Sequence, residues 1–166
     1  MSTPAPAQVT QRRSLAERVR TRLAHWSFLT YRAMTLGVRG LVIDADRRVL
    51  LVRHGYVAGW YLPGGGVELG ETFETALRRE LEEEACVVIE GAPRLYGLYL
   101  NAHISKRDHV AVYVIDRFRM TGERKPDLEI QEARFFPLDA LPEGTTRGTR
   151  ARLAEVLEGA ASNGLW

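Results

Sequence analysis

One cysteine, Cys86, is all that the 166 residues carry. It has no partner for an intramolecular disulfide and no neighbours at zinc-ligand spacing, so a core rather than cross-links must hold the fold, and a reducing cytoplasm suits it. A small buried hydrophobe is the expected role of that thiol. Excess charge is nearly lacking too: 23 Lys and Arg stand against 21 Asp and Glu, a net +2. Such a balance argues against a nucleic-acid binder and against a protein of membrane surfaces. No apolar run approaches the roughly 20 residues that a membrane span needs, and no internal repeat or second domain is visible. What is present, a 45% share of hydrophobic residues, suffices for one compact domain with a sizeable core.

Residues 1–13 are Pro, Ala, Ser, Thr and Gln followed by two arginines, without apolar periodicity, and are expected to be mobile. From Ser14 the pattern changes. Ser14 and Glu17 stand at capping-box spacing, and Leu15, Val19, Leu23 and Trp26 recur on one helical stripe. The spacing predicts an additional N-terminal helix over residues 14–33, ahead of a main domain over 34–166. Its apolar stripe has to be buried against that domain or against a second subunit, which makes a homodimer contact one expected outlet. The arginines between Arg12 and Arg32 are spread around the helix, unlike those of a transit peptide or a nucleic-acid patch.

The stretch from Gly65 to Val87, GGVELGETFETALRRELEEEACV, organises the rest. Thr72 is placed to cap a helix, and at about 100° per residue Phe73, Ala76, Leu77 and Leu81 form its apolar stripe. Glu80, Glu83 and Glu84 fall within or beside that stripe, whereas Thr75, Arg78 and Glu82 face water. Burying unpaired carboxylates costs several kcal/mol, on the order of one to several per group, so a positive partner is required. Arg79 can pair with one acid, with Glu71 also placed to receive it, but one guanidinium does not neutralise three. A hard divalent cation does, and Mg²⁺ commonly bridges carboxylates and substrate phosphates. For the helix taken alone, a solvated acidic face with Glu–Arg pairs is the alternative.

The flanking residues decide between these. Gly65, Glu71, Arg79, Glu80, Leu81, Glu83, Glu84 and Val87 match the pattern Gx5Ex7REUxEExGU, with Cys86 in place of its second glycine. This resembles the Nudix hydrolase signature, and Gly59-Trp60-Tyr61-Leu62-Pro63-Gly64 is similar to the family's lead-in; residues 36–142 can be laid on its fold. The resemblance implies Glu80, Glu83 and Glu84 as ligands of Mg²⁺, with Mn²⁺ as a substitute, the Gly65 carbonyl beside them, and Glu71 and Arg79 as an orienting pair. It implies a pyrophosphohydrolase acting on a small nucleoside diphosphate derivative, with a catalytically silent Nudix-fold binding module or regulator as the alternative. The general base is a ligand glutamate or a distant carboxylate, Glu129 first and Glu132 next. Family marks of coenzyme A, NADH, ADP-ribose and dinucleoside polyphosphate members are missing, with Ala102, His103 and Ile104 where the last two carry theirs. A nucleotide sugar or similar compound is therefore favoured, and a damaged nucleoside triphosphate comes next. Cys86 stands where a left-handed residue closes the helix, at a cost of about 1 kcal/mol, unless the helix ends otherwise.

Elsewhere, residues 34–44 and 49–54 read as strands joined by a hairpin connection at residues 45–48. Tyr56 and Trp60 either stack a nucleobase or pack on the sheet. Residues 95–101 and 109–118 read as further strands, the second central in its sheet because it is almost continuously apolar. Asn101, His103 and Lys106 in the intervening loop either contact substrate or are ordinary loop residues. A last strand over 132–137 and a helix over 146–157, with Leu153 and Val156 inward, complete an α+β fold with a mixed sheet between helical layers. The Nudix resemblance implies that same α/β/α sandwich.

Overall fold

The computed structural model describes residues 33–166, of which Met34–Trp166 form one compact unit. The expected mobile segment and added helix, with its subunit contact, lie outside the described residues. The order is β1 (Thr35–Val42), β2 (Arg48–His54), α1 (Phe73–Ala85), β3 (Val87–Ile89), β4 (Arg94–Leu100), β5 (Asp108–Ile115), β6 (Phe118–Met120), β7 (Ile130–Pro137) and α2 (Arg147–Glu158).

Strand pairing departs from the hairpin expectation. β1 runs parallel to β5, which also pairs antiparallel with β4 and so is central, as its apolar run implied. β2 pairs antiparallel with β7 instead of β1, and the two leading strands share only the bridge Ile43–Val49. The turn between them is closed by Asp44, whose Oδ1 accepts from the Arg48 N–H at 2.8 Å, with Arg47 in a left-handed conformation. The reason lies in burial. Val49, Leu50, Leu51 and Val52 are all buried, and a strand covered on both faces belongs inside a sandwich rather than in a one-sided hairpin. The short β3–β6 pair was not foreseen.

Alternation along these strands builds two apolar layers. Val38, Val42, Leu50 and Val52 pack with Ala76, Leu77, Leu81 and Ala85 of α1. Leu41, Val49 and Leu51 point the other way, to Trp60, Leu62, Phe136 and Leu153 of α2. The strands, paired as β1-β5-β4, β2-β7 and β3-β6, therefore lie between two helices, an α/β/α sandwich.

Both helices start on a threonine cap: Thr72 and Thr146 accept from Thr75 N and Thr149 N at 3.1 and 3.3 Å. Helix α1 ends on Cys86 at φ 54°, its N–H bonded to the Glu82 carbonyl at 3.1 Å. The left-handed cap is thus kept without glycine. Helix α2 hides an ion pair that periodicity did not reveal, Arg152 Nη2 to Glu155 Oε1 at 2.5 Å. Tyr99 OH donates to the other Glu155 oxygen at 2.7 Å, and Arg152 Nη1 holds the Leu165 carbonyl at 2.9 Å. No helix among the described residues is long and apolar enough to cross a membrane.

Candidate active site

The acidic face of α1 packs beside the loop Pro63-Gly64-Gly65, and the sheet brings that loop there. Backbone bonds from Val38 N to Gly65 O (2.9 Å) and from Gly40 N to Pro63 O (2.8 Å) stitch it to β1. Glu84 is buried, and its Oε2 accepts from the Gly64 N–H at 2.6 Å. Burial pushes its carboxyl up to about 7, although the Gly64 bond and the nearby Arg39 charge oppose the rise. Glu80 is likewise raised by burial, against its bonds to Arg79. At Gly65 a Cβ would fall 2.5 Å from Glu80 Oε1, so only glycine lets the loop and this carboxylate meet.

Arg79 is the hub behind these acids. Its Nε and Nη2 take the two oxygens of Glu71 at 2.9 and 3.1 Å, a forked pair. Nη1 reaches Glu80 Oε1 at 2.8 Å and Glu83 Oε2 at 3.3 Å, and Nη2 also holds the Gly66 carbonyl at 3.1 Å. The Glu71 bonds raise the Arg79 pKa further, and the same bonds lower that of Glu71. The Arg79–Glu71 pairing expected from the sequence is thus formed.

Glu80, Glu83, Glu84 and Glu129 line one cleft of about 350 Å³, together with Arg124 and Ile130. Arg79 holds one oxygen of Glu80 and one of Glu83, and Gly64 one of Glu84. The second oxygen of each makes no protein hydrogen bond among the described residues. Glu83 is the most open of the three, 61% exposed. With one oxygen of each drawn aside, no three His, Cys, Asp or Glu side chains among the described residues already converge as a cation cage. The donor set, carboxylate oxygens against a close-approaching glycine loop, is nevertheless what a hard divalent cation takes. The Gly65 carbonyl gives one lone pair to Val38 N–H and retains the other.

Three side chains reach the site without having been foreseen. His54, at the end of β2, is buried with Nδ1 unpartnered and 3.9 Å from Glu84 Oε1. Burial and, next, the Arg39 charge hold its pKa down, which disfavours the charged form that an ion pair with Glu84 would need. Arg39 of β1 anchors on the Leu62 carbonyl at 3.2 Å and on that of Gly64. Arg124 comes from the β6–β7 connection, tied to Asp127. Only Arg39 left a trace in the sequence, as a charge inside an apolar strand.

Of the other expected residues, most do not line this cleft. Tyr56 is 71% exposed in the loop after β2, its ring 5.1 Å from that of His54. Trp60 is buried under α2, edge-on to Phe136 at 4.8 Å, and has no face to offer a base. Asn101 closes the β4–β5 turn by donating to Asp108 Oδ2 at 2.8 Å. His103 lines a separate cavity of about 310 Å³ with Arg147, Arg152 and Trp166. Glu132 is paired with Arg53 and Arg134, which leaves Glu129 as the distal acid in the cleft.

Residues 34–157 match the family model of the NUDIX domain. The chain belongs to the Nudix hydrolase family. It is 35% identical over 104 residues to the ADP-ribose pyrophosphatase of Methanocaldococcus jannaschii, covering 61% of either chain, so it spans less than two thirds of that relative's length. It is 32% identical over 127 residues to the MutT-like protein of Streptomyces ambofaciens, covering 76% of this chain and 79% of the other. The crystal structure of the MutT NUDIX hydrolase from Burkholderia pseudomallei superposes with a TM-score of 0.63 at 28% identity, covering 74% of this chain and 97% of that one. Nudix hydrolases use divalent cations and act on small nucleotide derivatives, and the acidic cleft is where this member carries the signature.

Proposed function

We propose that this Nudix protein is a Mg²⁺-dependent pyrophosphohydrolase that splits a nucleoside diphosphate linked to another moiety into two phosphorylated products. The observation that carries the reading is the gathering of Glu80, Glu83, Glu84 and Glu129 around one cleft, backed by the Arg79–Glu71 pair. Bound Mg²⁺, held by Glu80, Glu83, Glu84 and the Gly65 carbonyl, would neutralise phosphate charge and lower the pKa of a water. The protein's part is positioning. Arg79 fixes the rotamers of Glu80 and Glu83, and Gly64 that of Glu84. Glu129 lines the same cleft from a different element and is assigned as the base. Water oxygen bonds to one phosphorus, its proton passes to the Glu129 carboxylate, and the bridging P–O bond breaks, leaving its electron pair on the departing phosphate.

For substrate, a nucleotide sugar or similar compound is the favoured class, with a damaged nucleoside triphosphate next. The relative whose name specifies ADP-ribose supports the first, since that compound is a nucleoside diphosphate joined to a sugar. A screen of diphosphate-linked nucleotides and nucleoside triphosphates with Mg²⁺ or Mn²⁺, reading both products, is expected to give turnover that EDTA abolishes and excess Mg²⁺ restores. Tight binding with no product from any of them would identify a silent binding module instead.

Two further parts of the proposal rest on sequence alone. A cytoplasmic location suits the single thiol. The Leu15–Trp26 stripe is assigned as a subunit contact, so removing residues 1–32 is expected to lower the mass measured by light scattering; an unchanged mass would remove the contact.

A further inference from the structure

We propose that Arg39 binds the diphosphate of the substrate. The inference rests on the reading of the cleft as a site for diphosphate-linked nucleotides and adds the cation that grips them. Four glutamates line the opening, and a substrate bearing a diphosphate is itself an anion. A resident divalent ion offsets the acids, but the phosphate oxygens that do not touch it need a donor of their own.

Most guanidinium groups near the cleft are already committed to carboxylates. Arg79 holds Glu71, Glu80 and Glu83; Arg124 holds Asp127; Arg53 holds Glu132. Arg39 forms no ion pair among the described residues, although its charge acts on Glu80, Glu84, His54 and Tyr56 alike. One nitrogen, Nη1, is spent on the carbonyls of Leu62 and Gly64. Nε and Nη2 make no protein hydrogen bond among the described residues and are not among the fully buried unpartnered atoms, on a side chain that is itself half-buried. The anchored nitrogen fixes the plane of the fork beside the loop that carries Gly64 and Gly65. The two others present a forked pair of donors, the shape that suits a phosphate and that lysine cannot reproduce.

A role in holding the loop would act differently. Arg39 grips the Gly64 carbonyl, and the Gly64 N–H grips Glu84. A scaffold role therefore predicts that losing the side chain loosens the acids and weakens cation binding. A phosphate role predicts the opposite sign, because removing a positive charge beside Glu80 and Glu84 leaves cation affinity unchanged or higher.

Calorimetry on the full chain separates them, with Mn²⁺ alone as one probe and α,β-methylene-ADP in excess Mg²⁺ as the other. Arg39→Ala is expected to weaken the analogue about tenfold to a hundredfold, the loss of a charge-assisted bond, with Mn²⁺ affinity equal to or above that of the unaltered chain. Arg39→Lys is expected to weaken the analogue severalfold at unchanged Mn²⁺ affinity. Analogue binding unaffected in Arg39→Ala overturns the proposal, and so does a parallel loss of Mn²⁺. If circular dichroism shows Arg39→Ala unfolded, Arg39→Lys decides, and equal analogue affinity there overturns it. An unaltered chain that ignores the analogue also sinks the proposal, while turnover in the substrate screen would leave the hydrolase reading intact. Analogue binding lost with Arg39 in a chain that hydrolyses nothing would sink only the hydrolase reading.

Discussion

Replacing Glu84 with glutamine is expected to cut turnover by about two orders of magnitude or more, because a ligand carboxylate is removed from the diphosphate clamp. The same change is expected to stabilise the cation-free protein at alkaline pH. Burial holds the Glu84 carboxyl at about 7 against an ordinary value of 4.5. A carboxyl raised on folding contributes its full stability below the unfolded value and loses it as pH rises through the folded one. Between pH 4.5 and 7 the native chain therefore gives up on the order of 3 kcal/mol that the neutral amide keeps, with the whole difference present above 7. The amide oxygen can still accept from Gly64 N–H, so packing is preserved. Glu83→Gln, at an exposed position, should lose activity to the same degree with little change in stability. Near-normal rates for both variants at saturating Mg²⁺ would refute the ligand assignment. A lower melting temperature for Glu84→Gln at pH 8 without cation would refute the electrostatic one.

Gly64→Ala is expected to cost about 4 kcal/mol or more, or to prevent soluble folding. Gly64 has φ 135°, and a Cβ there would overlap the Val38 carbonyl oxygen and sit 3.0 Å from Arg39 Cα. Both neighbours are backbone of the buried strand β1, which cannot give way as a side-chain tip can. Gly66→Ala is the control, since a Cβ there meets no atom within 4 Å. Urea unfolding of the two variants should separate them widely; a difference under about 1 kcal/mol would show that the loop has room to move.

These neighbouring glycines mark the boundary of what the chain discloses before it folds. Three stand in a row at 64–66, yet which one is packed against a strand, which against Glu80 and which faces open space depends on β1 lying alongside. The acids of α1, their hub Arg79 and its partner Glu71 were legible because a helix and its lead-in place them through short-range geometry. Arg39, His54 and Arg124 were not, because pairing between distant strands and a long connection carry them to the cleft. The same dependence left Trp60 open between stacking and packing, since an aromatic side chain at a sheet end declares its packing role only when the covering helix is known. The hairpin between β1 and β2 failed for a related reason: two apolar strands with a short turn between them do not say whether each will be covered on both faces.

That pairing also sets a timetable for assembly. Thr35 of β1 bonds to Asp108, 73 residues downstream, and Arg53 of β2 meets Glu132, 79 residues downstream. During synthesis, the run Val49–Val52 has only the bridges to Ile43 and Tyr61 on one edge and must wait for β7 to emerge before its full-length partner strand can cover the other. Contacts so far apart slow folding and leave a sticky apolar strand uncovered meanwhile. A chaperone that shelters nascent chains is therefore expected to matter most in the interval before residue 136 leaves the ribosome, and chains stalled in that interval are those most prone to aggregate.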